Sequence, residues 1–129
     1  MGLTNVWIAT LSDGLLRADQ VVGLTAHATP ALTGKPPRWL LDATIRTAAG
    51  SGSADGWDVG ILHRTLIQTP GEPVGAPEAL ARLLARLDRE DAAGLIAAVA
   101  DSGARVPSVV RFAFRPFEDD VEHDGGSGA

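Results

Sequence analysis

The chain has 129 residues, 45% of them hydrophobic and 21% charged, and no cysteine; this suits one domain and excludes wholesale disorder, a collagen-like fibre, a disulfide scaffold and thiolate chemistry. Its net charge of −5 is local, because five of the sixteen acids lie in residues 118–129, which hold no Lys or Arg, and the other eleven balance eleven bases. A neutral body lacks the clustered cations that phosphate backbones and anionic lipids select, so neither nucleic acid nor a membrane is expected as a partner.

Residues 5–11 are mostly β-branched, aromatic or apolar, and a second apolar stretch begins at Leu15, after Ser12-Asp13-Gly14. Asp-Gly between such runs predicts a hairpin with a type I′ turn, whose two central residues need positive φ. Residues 21–27 read as a further strand punctuated by Gly23. The loop at 29–37 holds Pro30, Pro36 and Pro37 and cannot supply a regular ladder of backbone donors. Over 38–47, Trp39, Leu41, Ala43 and Ile45 alternate with Leu40, Asp42, Thr44 and Arg46, the pattern of a half-buried strand. A Gly/Ser-rich connector at 50–56 and a strand over 57–69 then complete a long hairpin with its tip near Ser53.

After a Pro-rich loop at 70–77, Leu80, Leu83, Leu84 and Leu87 fall at i, i+3, i+4 and i+7, with Arg82, Arg86 and Arg89 on the other side. The spacing predicts a helix over 77–90, opened by Pro77. Glu78 with Arg82 and Arg86 with Glu90 form i,i+4 pairs worth ~0.2–0.5 kcal/mol each. Residues 92–100 defeat periodicity. The alanines favour helix, Gly94 and a turn at Asp101-Ser102-Gly103 allow a strand, and the reading adopted is helix. Over 106–117, Val110, Phe112 and Phe114 alternate with Arg111, Ala113 and Arg115, which predicts a late strand. Residues 118–129 are acidic and Gly-rich and are expected to be disordered. The expected fold is a single α+β domain over 1–117, an antiparallel sheet of about five or six strands with the helix packed on one face.

Motifs of defined chemistry fail on inspection. Thr33-Gly34-Lys35-Pro36 resembles the end of a phosphate-binding loop, but Thr29 replaces the first glycine and Pro36 the hydroxyl residue. Gly50-Ser51-Gly52 starts like a dinucleotide fingerprint whose third glycine falls on Asp55. No serine sits in a Gly-x-Ser-x-Gly elbow. His27 and His63, near Asp42 and Asp58 in the chain, invite a two-His, one-carboxylate metal set, but no His-x-His or His-x-x-x-His spacing supports it. Each reads instead as an edge or partly buried strand residue with one hydrogen bond, His123 as solvated, and Asp42 as a solvated residue or a partner for Arg46, Arg64 or Arg111. No catalytic residue, metal ligand or cofactor is therefore expected.

A signal for contact remains. Lys35, Arg38 and Trp39, with Pro36 and Pro37, gather cations, a stiff backbone and an aromatic at a loop-to-strand junction. Trp39 and Trp57 also read as closing the core at opposite ends of the hairpin. Arg111 and Arg115 share a face suited to bidentate carboxylate binding, and the nearest acidic segment is the chain's own, at 118–124. The leading expectation is a small non-catalytic interaction or assembly module that binds a protein partner or itself through Lys35, Arg38, Trp39, Arg111 and Arg115. The alternative is a small enzyme or metabolite-binding protein with a pocket near His27, Asp42 and His63, and a weaker one an immunity- or antitoxin-type neutraliser. The first residues lack a basic signal-peptide region and the apolar runs fall short of the ~20 residues that span a bilayer, so the cytoplasm is expected. Ten Arg against one Lys, with 21 Ala, suggest a GC-rich bacterial genome.

Overall fold

A computed structural model describes residues 2–30, 32–47, 60–101 and 108–118, the side chains of residues 46, 47, 60 and 61 excepted. In chain order it has β1 (Val6–Ala9), β2 (Leu15–Arg17), a 3-10 turn (Ala18–Gln20), β3 (Val21–Ala28), β4 (Trp39–Thr47), β5 (Gly60–Thr69), α1 (Ala76–Arg89), β6 (Gly94–Ala100) and β7 (Val110–Pro116). The class is α+β, with the strands divided between a four-stranded sheet in the order β2-β1-β6-β7 and a three-stranded sheet in the order β3-β4-β5. Pairing is antiparallel throughout except between β1 and β6, which run parallel with Val6 opposite Gly94 and Ile8 opposite Ile96. The expected connector at 50–56, Trp57 and the acidic segment from 119 lie outside the described residues.

The first hairpin forms, but not around a two-residue turn. Ala9 pairs with Leu15, leaving residues 10–14 as the loop, and only Gly14 of the Asp13-Gly14 pair has positive φ, at 81°. Thr10 takes over the turn. Its hydroxyl donates to the Gly14 carbonyl at 2.7 Å and accepts the Asp13 N–H at 2.7 Å, a local bond that competes with the type I′ geometry. The same loop links the two sheets, since the Leu11 N–H donates to the Thr65 carbonyl of β5 at 2.8 Å.

The helix expected at 92–100 is strand β6. It pairs with β1 on one edge and β7 on the other, and because Leu95, Ala97 and Val99 on its outer side are as apolar as Gly94, Ile96 and Ala98, its sequence shows no alternation. Gly94 secures the β7 side. A Cβ there would collide with the Arg115 carbonyl and meet the Phe114 ring at 2.6 Å, so only glycine allows the two backbones to approach this closely.

Helix α1 starts one residue earlier than expected, behind Gly75, whose φ of 81° turns the chain into the first helical turn. Leu80 and Leu87 are fully buried, whereas Leu83 and Leu84 are half-buried against the same core. Burying the first two contributes ~1.5–3 kcal/mol each. The helix contacts both β7 and β3, which are edge strands of different sheets. It therefore packs against an edge strand of each sheet. Val6, Ile8 and Ile96 from one sheet meet Leu41, Ala43 and Leu66 from the other in this common core. No helix among the described residues is long and apolar enough to cross a membrane.

Candidate functional site

Strand β4 sends Leu41 and Ala43 into the core and Asp42 and Thr44 to the opposite face. A bulge decides what stands beside them: Leu41 pairs with Ile67 and Asp42 with Thr65, so Leu66 has no counterpart of its own. Leu66 is buried and Ile67 packs on the core, and the phase of β5 shifts to set Thr65 beside Asp42 and His63 beside Thr44. His27 arrives from β3, two residues beyond Thr25, the other cross-strand neighbour of Asp42.

These placements build a three-strand network. Nε2 of His27 lies 2.8 Å from Oδ2 of Asp42, and the Thr65 hydroxyl donates to Oδ1 at 2.7 Å. Asp42 is thus neither solvated nor an arginine partner, as its place on the polar side of the strand suggested; it is 6% exposed, covered by the two side chains that bond it. The hydrogen bond to Asp42 raises the His27 pKa above its ordinary value against the opposing effect of burial, and the Asp42 charge and a backbone bond to Ala28 reinforce the rise. Nδ1 of His63 is 3.4 Å from the Thr44 hydroxyl, the far limit of a hydrogen bond.

Thr25, His27, Asp42 and His63 line one cleft of about 350 Å³, so the structure does bring the two histidines and the carboxylate together. Among the described residues no group of three or more His, Cys, Asp or Glu side chains could hold a metal ion. What the cleft offers chemically is an imidazole oriented by a nearly buried carboxylate, able to hold and release a proton. The one hydroxyl bonded to that carboxylate, on Thr65, is committed to it as a donor.

A larger groove of about 710 Å³ runs between α1 and β7. Its floor includes Leu83, Phe112 and Phe114, and its sides carry Arg82, Arg86 and Arg89 from the helix and Arg111 from the strand. The helical arginines recur at i, i+4 and i+7, so they share one face of α1. Sequence reading placed them only on the side away from the leucines; it gave no sign that this side borders a strand edge. Arg86 pairs with Glu90 at 3.7 Å and Arg111 with Asp101 at 3.1 Å, both exposed contacts of small worth. No carboxylate among the described residues pairs with Arg82, Arg89 or Arg115.

Among the described residues strand β7 is the end of its sheet. The Asp101 N–H donates to the Val109 carbonyl at 3.0 Å and the Phe117 N–H to the Ala93 carbonyl at 3.1 Å. In an antiparallel ladder bonded pairs alternate, so Arg111, Ala113 and Arg115 turn their backbone groups towards β6, and Val110, Phe112 and Phe114 turn theirs to the open side. The phenylalanine side chains face the groove and helix, while Arg111 and Arg115 alternate with them and are exposed, Arg111 also bordering the groove.

The remaining expected contact residues lie elsewhere. Lys35 is exposed in a turn whose N–H bonds the Leu32 carbonyl at 2.9 Å, with Gly34 at a φ of 83° where a type II turn requires it. The Arg38 carbonyl accepts from the Thr29 N–H and the Arg38 N–H donates to the Thr29 hydroxyl, while the Arg38 Nε is buried with no hydrogen-bond partner among the described residues. Trp39 is half-buried at the start of β4, in register between Ala28 and Thr69. Lys35 and Arg38 thus lie in the connection between β3 and β4 and Trp39 at the start of β4, whereas Arg111 and Arg115 lie on β7 of the other sheet.

Comparison with known proteins found no matching family model, curated protein or solved structure.

Proposed function

We propose that the protein is a non-catalytic contact module of the cytoplasm that takes up an extended segment of a partner polypeptide along β7. The observation that carries this reading is the open edge of β7. The backbone groups of Val110, Phe112 and Phe114 face a groove with an apolar floor, and such an edge is the ordinary template for an added strand. Main-chain bonds to these residues give affinity, and the pockets on either face give selectivity. The cysteine-free composition supports the intracellular setting.

Selection from a library of extended peptides, followed by amide exchange on the bound protein, tests the reading. Bound peptides are expected to slow exchange at Val110, Phe112 and Phe114 and to leave Arg111 and Ala113, already bonded to β6, unchanged. Peptides that protect only the β3-β4-β5 sheet would overturn it.

A second reading, a small-molecule site, draws on the cleft at His27, Asp42 and His63, where a nearly buried carboxylate orients an imidazole. Its support is thinner, because the same bonds tie three strands together and so have a structural use of their own.

A further inference from the structure

Resting on edge docking at β7, we infer that the segment taken up is acidic, with carboxylates at alternate positions along one face to meet the arginines beside the strand. Beside β7, an added strand would have two unlike faces. On the outer face it would run past Val109, Arg111, Ala113, Arg115 and Phe117, of which Val109 and Phe117 are 41% and 54% exposed. Carboxylates four residues apart match Arg111 and Arg115, and apolar side chains match the two ends. On the inner face it would lie over Phe112 and Phe114 within reach of Arg82 and Arg89.

Charge decides between the candidate occupants. A second copy of β7, aligned over its full length, centres on Ala113 and sets Arg111 directly opposite Arg115 of the other copy. Like charges directly across a strand pair oppose pairing, and the helix arginines of both copies would be drawn towards the same groove. An acidic strand reverses each of these interactions. Arg82, Arg89 and Arg115, without carboxylate partners among the described residues, need surrender no ion pair to receive it; Arg111 exchanges the weak contact to Asp101 for a new one.

The test uses the full chain and synthetic peptides of about nine residues alternating Val with Glu, with Thr or with Lys. The Glu peptide is expected to bind at least about tenfold more tightly than the Thr peptide and to weaken as salt is raised, with the Lys peptide weakest. The double variant Arg82→Glu, Arg115→Glu, both exposed positions, should keep the wild-type melting temperature and lose most of the preference for the Glu peptide over the Thr peptide. Equal binding of the Thr and Glu peptides at Val110, Phe112 and Phe114 would keep edge docking and overturn the acidic assignment. Failure of every peptide to protect those amides overturns both. A dimer of the chain that already protects them without peptide overturns the assignment to a foreign partner.

Discussion

At the scale of single residues, Asp42 shows how a strand pattern names a face but not its neighbours. Alternation from Trp39 to Arg46 assigned Asp42 correctly to the side away from the core. That it is covered there depends on His27 and on the bulge at Leu66, and a bulge is a property of pairing that no single strand announces. The network carries a definite pH dependence. His27 is raised above its ordinary value of 6.5, so its contribution to stability is complete below that value and is lost as pH rises through the higher folded one. Thermal melting followed from about pH 6 to about pH 8 should therefore show a loss in the wild type that Asp42→Asn largely removes. Proton NMR of His27 provides the direct check, since its titration midpoint should fall in the variant; an unchanged midpoint would reject Asp42 as the cause.

At the scale of elements, legibility followed exposure. Helix α1 and strand β4 each carry polar residues on the side turned away from the core, and each was visible through its period. Strand β6 gives no such contrast. Gly94 and Ile96 are buried, but Leu95, Ala97 and Val99 on the outer side are apolar too, leaving only composition to read, and alanine composition pointed to the wrong element. Substitution separates the glycine that is required from the one that is convenient. Gly94→Ala must push apart β6 and β7 and should cost ~1–3 kcal/mol. At Gly23 a Cβ meets the Thr44 side chain at 3.5 Å, an ordinary contact, so Gly23→Ala should stay within ~0.5 kcal/mol of wild type. Urea denaturation of the two variants measures the contrast.

For the whole molecule, α1 packs on both β3 and β7 and so is tied to each sheet. A helix-on-sheet layer was foreseen from the leucine stripe. Two separate sheets were not, because the sequence marks strands but not the long-range pairing of β1 with β6. Leu80→Ala should remove ~2–5 kcal/mol, and the loss should register equally at probes in either sheet. Fluorescence of Trp7 and of Trp39, read in variants that keep only one of the three tryptophans, checks this: separate transitions would show that the helix does not couple the sheets. The parallel pairing also dictates an order of birth. Residues 94–96, which β1 needs on its inner side, leave the ribosome roughly five to twenty seconds after residues 6–8 at ordinary rates of synthesis. The nascent polypeptide must carry its first hairpin with one flank bare through that interval, while the β3-β4-β5 meander, made from successive stretches, has everything it needs much sooner.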